Sequence, residues 1–430
     1  MPDHIGRWRA IPQKKAGVSG PFFLCAKNRS AANQVQILHE CSLLNRSPMK
    51  KILTFTFLLL AAASCTPAHP RDTGHWDSVA RYLAGMEVQE DPNLAQLSRR
   101  PEWVTHKQSM DKMFSGLEEN YLSKMKPWAE REIGNPGTPV LFYPFGGPEI
   151  IISQTFFPHV REYIMCGLEA PGLPPDPTKV TAARLNPVLT NLRESLKWLT
   201  SYTYFQTIHM DSQLRYTDLS GTLPLMLVFL ARTGNRVTDV TGVILGNNGT
   251  LYELEENSPA PGRIPESSIK TTGIRGARIT FVKNGTERQA YYFSFDASDP
   301  AMKTRSYFFD FVKSRGERSV MLKAASYLLH WGNFPTLKAF ILNESRLILS
   351  DDTGIPFKDW DRKTWNLTLY GNYQAPIPQF AGQIQYDMLR AYSNKKDVKE
   401  LPFNIGYTAA WKPGISSLVL ARRMDQTEGK

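Results

Sequence analysis

"TPVLFYPFGGPEIIISQTFFPHVREYIMCGLE", Thr138–Glu169, decides the fold. "TPVLFYPF" is an apolar, aromatic-rich run stopped by Gly146, Gly147 and Pro148, which marks a strand ended by a turn. "EIIISQTFF" follows as a short helix or a connection, and "REYIMCGLE" is a second strand-like run. Strand, turn, crossover and strand in this order predict a βαβ-like unit. Downstream, helices are expected at about 180–200 and 212–232, the second closed by Arg232 and Gly234 in the manner of a helix C-terminus. "VTDVTGVIL", "ARITFVK" and "QAYYFSFD" then predict strands, with 253–272 as a surface excursion between two of them. Helical pieces are expected again over 299–313 and 320–349, and short strands at "WNLTLYGNY" and "ISSLVLARR". No period of about 20–50 residues recurs, which excludes a solenoid or propeller. The expected class is α/β: a mixed sheet flanked by helices, spanning 137–430 as one domain or two intimately joined.

Upstream, residues 76–136 are charged and carry apolar residues at helical spacing, as in "WDSVARYLAGM" and "SMDKMFSGLEENYLSKM", which predicts an N-terminal helical segment. Before it stands "MKKILTFTFLLLAAASC", Met49–Cys65. Lys50 and Lys51 supply a positive start, Ile52–Leu60 an apolar core, and Ala61–Ser64 the small residues of a cleavage site. That core is too short for the roughly 20 apolar residues of a membrane span. Small residues running into a single cysteine resemble the lipobox of bacterial lipoproteins, although Ala62 stands where many lipoboxes carry Leu. The resemblance implies a diacylglyceryl group on Cys65, cleavage just before it, and an acylated new amino terminus. With two or more chains such an anchor is lasting. The natural start is then expected at Met49, with 1–48 an upstream extension from a mis-assigned start codon, 49–64 the signal peptide, and 65–75 a lipidated tether.

Composition bounds the rest. Residues 1–64 carry nine Lys or Arg against Asp3 and Glu40, a net +7 of the chain's +11, so the remainder carries only +4. No nucleic-acid partner is expected from that balance. Of the four cysteines, Cys25 and Cys41 precede Met49 and Cys65 is the lipid site, which leaves Cys166 alone and without an intrachain disulfide partner. A body of about 350 residues buries enough surface to do without one. Cys166 is expected to be a small buried hydrophobe. The chain's 9 Trp, 17 Tyr and 22 Phe are expected mostly in the core, with exposed members available as sugar-stacking platforms.

No G-x-S-x-G elbow, H-E-x-x-H, Walker loop, Rossmann fingerprint or S-x-x-K with its partner motifs occurs. The candidate chemistry is therefore carried by polar clusters. In "SDDTGIPFKDWDRKTW", Asp351 and Asp352 end an apolar segment in a tight turn where both carboxylates could face one opening. Paired acids either bind a hard cation or split their pKa values into acid and base roles, and capping of neighbouring amides is the structural alternative. Trp360 and its acidic neighbours Asp359 and Asp361 suggest a sugar or cation site. "FYPFGGPE" ranks second: Tyr143, Gly146 and Gly147 let the backbone approach a ligand and Glu149 opens the next element, at the carboxyl end of a strand where α/β sheets bind ligands. His209 and Asp211 could converge from a loop, and Asp296 and Asp299 follow a strand in "FSFDASDP", where helix capping by Ser298 or Asp299 is expected. Metal and cofactor are left open.

"LFYPFGGPE", "GTLPLMLVFLARTGN", "LKAASYLLH", "SDDTGIPF" and "YGNYQAPIPQF", taken together, resemble an uncharacterised family of exported bacterial proteins. The resemblance covers most of the chain from Gly137 onward and implies a shared architecture without an established activity. The expected function is a lipid-anchored protein of the cell envelope, at the outer membrane, with a non-catalytic binding or assembly role. The alternative is a hydrolase or transferase acting on an envelope or extracellular polymer, with Glu149, Asp351 and Asp352 as its acids. The alternative requires these three carboxylates to meet.

Overall fold

The first strand, β1 (Val140–Tyr143), is buried on both faces, and this explains its unbroken apolar sequence. Leu141 and Tyr143 enter one core while Val140 and Phe142 enter the other. In this computed structural model, which describes residues 73–204, 219–255, 266–270, 272–407 and 414–424, β1 lies at the centre of an 11-stranded sheet. The short helix Ile150–Phe156 leads from it to β2 (Glu162–Gly167), which pairs with β1 in parallel, so the βαβ unit is present.

The chain next builds one side of the sheet. β3 (Arg236–Gly246), β4 (Leu251–Glu253), β5 (Gly273–Lys283) and β6 (Thr286–Ser294) form antiparallel pairs, and β6 returns to lie parallel against β2. It then crosses to the other side of β1, where β7 (Arg318–Leu322) and β8 (Ser345–Ser350) are parallel. β9 (Trp365–Gly371), β10 (Val398–Lys399) and β11 (Ser417–Arg423) complete the order β10-β9-β11-β8-β7-β1-β2-β6-β5-β3-β4. The fold is α/β with a mixed sheet. Its parallel centre, β8-β7-β1-β2-β6, reverses direction of growth between β1 and β7. In open α/β sheets that switch point leaves a crevice at the carboxyl ends of the strands.

Helices cover both faces. On the Leu141 face pack the N-terminal helices Thr73–Leu83, Pro101–Leu117 and Ser123–Glu132, the last two joined by a π-helical turn at Glu118–Leu122, together with Ala182–Tyr202 and Leu223–Arg232. On the Val140 face pack Tyr307–Ser314, Pro335–Glu344 and Tyr386–Ser393. Among the described residues no helix is long and apolar enough to cross a membrane. Cys166 sits in β2 as a buried hydrophobe, its thiol pushed up to about 12 by desolvation. Cys65 and the signal-like segment lie outside the described residues.

One expectation fails. Residues 320–349 are not a helical stretch: β7, a 3-10 segment (Ala324–His330), the helix Pro335–Glu344 and β8 occupy them. Each strand carries only three consecutive apolar residues, Val320–Leu322 and Leu347–Leu349, and so short a run has no period that separates a buried strand from a buried helix. The short strand β4, which ends where the expected 253–272 excursion begins, was likewise not foreseen.

Candidate functional site

Three neighbouring strands of the parallel centre deliver polar side chains to the switch point. After β1 the chain turns through Phe145, Gly146 and Gly147, and Glu149 follows at the start of the next helix. After β7 come Lys323 and Ala324, and after β8 come Asp351 and Asp352. Asp351 N–H donates to Leu322 O at 3.0 Å, which ties the ends of β7 and β8 together. Phe145 and Ala324 hold left-handed backbone, φ 61° and 56°, without being glycine. Such conformations cost about 1–2 kcal/mol each and collect at functional sites. Gly146 packs under the Tyr143 ring, where a Cβ would come within 2.5 Å.

Lys323 is the hub. Its Nζ lies 2.8 Å from Glu149 Oε2 and donates to Thr203 O at 2.6 Å, with the lysine and glutamate side chains 1% and 5% exposed. Tyr143 Oη donates to the same Glu149 oxygen at 2.7 Å, and burial together with that carboxylate holds the phenol far above its usual range. Asp351 accepts from Ala324 N at 3.1 Å and Thr353 N at 2.9 Å, and from the Thr353 hydroxyl. Gly406 approaches it so closely that a Cβ would stand 2.4 Å from Asp351 Oδ2, at φ +71°.

The two aspartates part company. Desolvation raises both carboxyls, and Asp352, also repelled by Asp351, is pushed up to about 7. Asp351 has three hydrogen-bond donors and the nearby Lys323, all of which favour its anion. Asp352 has a single side-chain donor, Tyr327 Oη at 2.9 Å. Of the coupled pair, Asp352 therefore keeps the proton. Splitting neighbouring carboxyls in this way is how one site obtains an acid and a base at neutral pH.

This has a consequence for stability. With an unfolded-state value near 3.8 and a folded one near 7, Asp352 holds its proton in the native state after the unfolded chain has lost it. Its contribution is complete below about pH 4 and is lost as pH rises through 7, by up to about 4 kcal/mol. Asp352→Asn, which has no proton to lose, is expected to gain on the parent protein across that window. Urea denaturation of both proteins from pH 4 to 8 measures it, and parallel curves would mean that Asp352 ionises normally.

An aromatic wall closes the cluster. Tyr327 stacks on Phe380 at 4.1 Å between centroids, and Tyr407 stands between Tyr204 at 4.9 Å and Tyr327 at 6.4 Å. His330 adjoins Tyr327 at 5.4 Å. His209 and Asp211 lie outside the described residues, so their expected convergence has no structural counterpart here.

Glu149, Asp351, Asp352 and Tyr143 thus meet at one place, with Gly146 under the Tyr143 ring and Gly147 in the turn that leads to Glu149. The two aspartates are nonetheless buried, 3% and 4% exposed, and are not a solvated turn facing one opening. Trp360 departs further from expectation: it is 5% exposed and packs edge-on against Trp365 at 5.6 Å, which leaves no ring face for a sugar. Asp359 pairs with Lys338, and Asp361 accepts from Lys363 N at 3.0 Å, so neither joins the cluster. Asp299 caps the helix Pro335–Glu344 through Thr336 N at 3.1 Å, and Asp296 accepts from Ser298 N at 2.8 Å. Lys323, Tyr327 and His330 were missed. The available signal was a lysine directly after the apolar residues of "RSVML", where a strand reading would have put it beside Glu149. Among the described residues no group of three or more His, Cys, Asp or Glu side chains is arranged to hold a metal ion. No protein-family model, curated protein or solved structure matches this chain, so the reading of its site rests on the geometry above.

Proposed function

We propose that this chain is a cell-envelope protein, held at the outer membrane by acyl chains on Cys65, whose body is a hydrolase or transferase acting on an envelope or extracellular polymer. The lipobox-like Met49–Cys65 supports the anchor. The meeting of Glu149, Asp351 and Asp352 with Lys323 at the switch point of the sheet carries the enzymatic reading. In this reading Asp352 supplies the proton to a leaving oxygen, while Asp351 stays ionised and repels the charge that Asp352 would acquire too early. Lys323 and Glu149 fix the local field, and Tyr327 orients Asp352.

The test is release of soluble fragments from purified envelope polymers by the protein and by Asp352→Asn. A general acid contributes about 10²–10⁴-fold, so a loss of that size is expected, with the folded state checked by circular dichroism. Equal turnover by both proteins would end the reading. The near-complete burial of the three carboxylates favours a second one, a non-catalytic binding or assembly role in which the cluster only pins three strand ends. In that case conservative replacements at Asp351 and Asp352 leave function in cells intact.

A further inference from the structure

The register of β5 against β6 sets two cations side by side. Phe281 faces Arg288 and Lys283 faces Thr286, so Lys283 and Arg288 are diagonal neighbours on the face that carries Phe281 into the core beneath Leu141. Both are half-buried. Among the described residues neither side chain has an ion pair or a hydrogen bond, and Arg288 Nε is buried without an acceptor. Burial first, then the charges of Arg288 and Lys126, hold the Lys283 ammonium below the usual lysine range. Both neighbouring charges are positive, whereas a cation withdrawn from water is ordinarily matched by an anion.

Lys283 lines a cavity of about 620 Å³ between the helices Ser123–Glu132, Ile150–Phe156 and Leu223–Arg232. That volume falls within the roughly 300–1,000 Å³ of small-molecule sites. Lys126 and Arg232 stand in its wall. The acids around it are already engaged: Glu118 meets Lys126 Nζ at 2.7 Å, Glu130 meets His159 at 3.3 Å, and Asp111 meets Arg232 at 2.8 Å. The polar floor is fixed as well, since Gln154 Oε1 accepts from Asn235 Nδ2 at 3.0 Å and from Thr233 Oγ1 at 3.2 Å. The site therefore has an excess of donors and positive charge, and no free carboxylate to offer a metal ion.

Two cations are left without counter-charge. A phosphate monoester brings about −1.5 to −2 in a single group at neutral pH, whereas one carboxylate would balance only one of them. Lysines bind phosphate as point charges, without the planar fork that matches a carboxylate. Lys126 spends its contacts on the two Glu118 oxygens and has a third N–H to give.

We propose that this cavity binds the phosphate group of a small phosphorylated molecule, with Lys283 and Lys126 donating to its oxygens and Arg288, its Nε enclosed, adding charge from behind. The site is independent of the carboxylate cluster. Glu149, Asp351 and Asp352 lie at the carboxyl ends of the parallel strands, whereas Lys283 closes β5 beside the start of β6, which runs parallel to β2 and β1.

Calorimetric titration of the intact protein with glycerol 3-phosphate, glucose 6-phosphate and inorganic phosphate tests it, with succinate as a dicarboxylate for comparison. At least one phosphate is expected to bind with a Kd below about 1 mM. Lys283→Ala is expected to weaken that binding about tenfold or more, the size of one lost charge-assisted hydrogen bond, and Lys283→Arg to retain most of it. Lys124→Ala removes an exposed lysine from the helix that carries Lys126 and is the control for general surface charge. In thermal unfolding, the phosphate that binds should raise the midpoint of the parent and leave that of Lys283→Ala in place. That second readout also shows directly that the variant is folded. No binding by any of the three phosphates, equal weakening by Lys124→Ala and Lys283→Ala, or succinate held as tightly as the best phosphate would overturn the proposal.

Discussion

Lys323→Ala is expected to cost about 3–5 kcal/mol of folding stability, because it leaves the Glu149 carboxylate buried without its cation. The same change also strips Thr203 O of its donor. The cost belongs to the orphaned partner more than to the pair itself, since a buried pair is often no better than an apolar replacement of similar volume. Lys323→Met combined with Glu149→Gln should therefore be far less damaging than Lys323→Ala. Guanidinium denaturation of the single and double variants gives the coupling directly. If Lys323→Ala lost less than about 1 kcal/mol, a typical surface pair would describe the contact better, and the hub at the switch point would be wrong.

The second large effect lies where the N-terminal helices meet the sheet. Trp128, on Ser123–Glu132, is fully buried and packs edge-on against Tyr370 of β9 at 4.9 Å, Phe403 at 5.5 Å and Phe156 at 5.8 Å. Trp128→Ala is expected to cost about 3–5 kcal/mol through lost burial and the cavity left behind. Trp128→Phe should cost much less. The indole Nε1–H of Trp128 is buried without an acceptor, so that replacement also removes an unsatisfied donor. Thermal or denaturant unfolding of the two variants checks the order. Equal losses would mean that the stability at this position depends on the indole N–H and not on aromatic packing.

Legibility in the sequence followed local chemistry. β1, its helix and β2 could be read because Gly146, Gly147 and Pro148 punctuate two apolar runs, and the alternation-poor strands matched a sheet buried on both faces. β7 and β8 escaped because "RSVML" and "SRLILS" are short, and neighbouring helix formers in "KAASYLLH" and "TLKAFILNE" drew the whole stretch into one helical reading. That error hid Lys323. A lysine on a helix is ordinarily a solvated charge, whereas a lysine just past a central strand is forced inward and needs a carboxylate.

The acids fared better than the aromatics. Glu149, Asp351 and Asp352 were visible because each follows an apolar run, and the ends of such runs are where an α/β sheet exposes polar groups to one another. Their depth was not visible, because burial depends on Gly406, Tyr327 and Tyr407, which come from other parts of the chain. Trp360 shows the same limit. Nothing local distinguishes a tryptophan that meets Trp365 edge-on inside a core from one offered to a ligand.

The most direct measurement is a ¹³C titration of the aspartate side-chain carboxyls in the intact protein, compared with Asp352→Asn. The account predicts one carboxyl with a midpoint near 7, absent from the variant, and the same midpoint in the pH profile of polymer cleavage. A spectrum in which every carboxyl titrates at or below about 4–5, the ordinary range, would contradict it. Asp352 would then be an ionised group at neutral pH, and the cluster at the switch point would have no acid to offer.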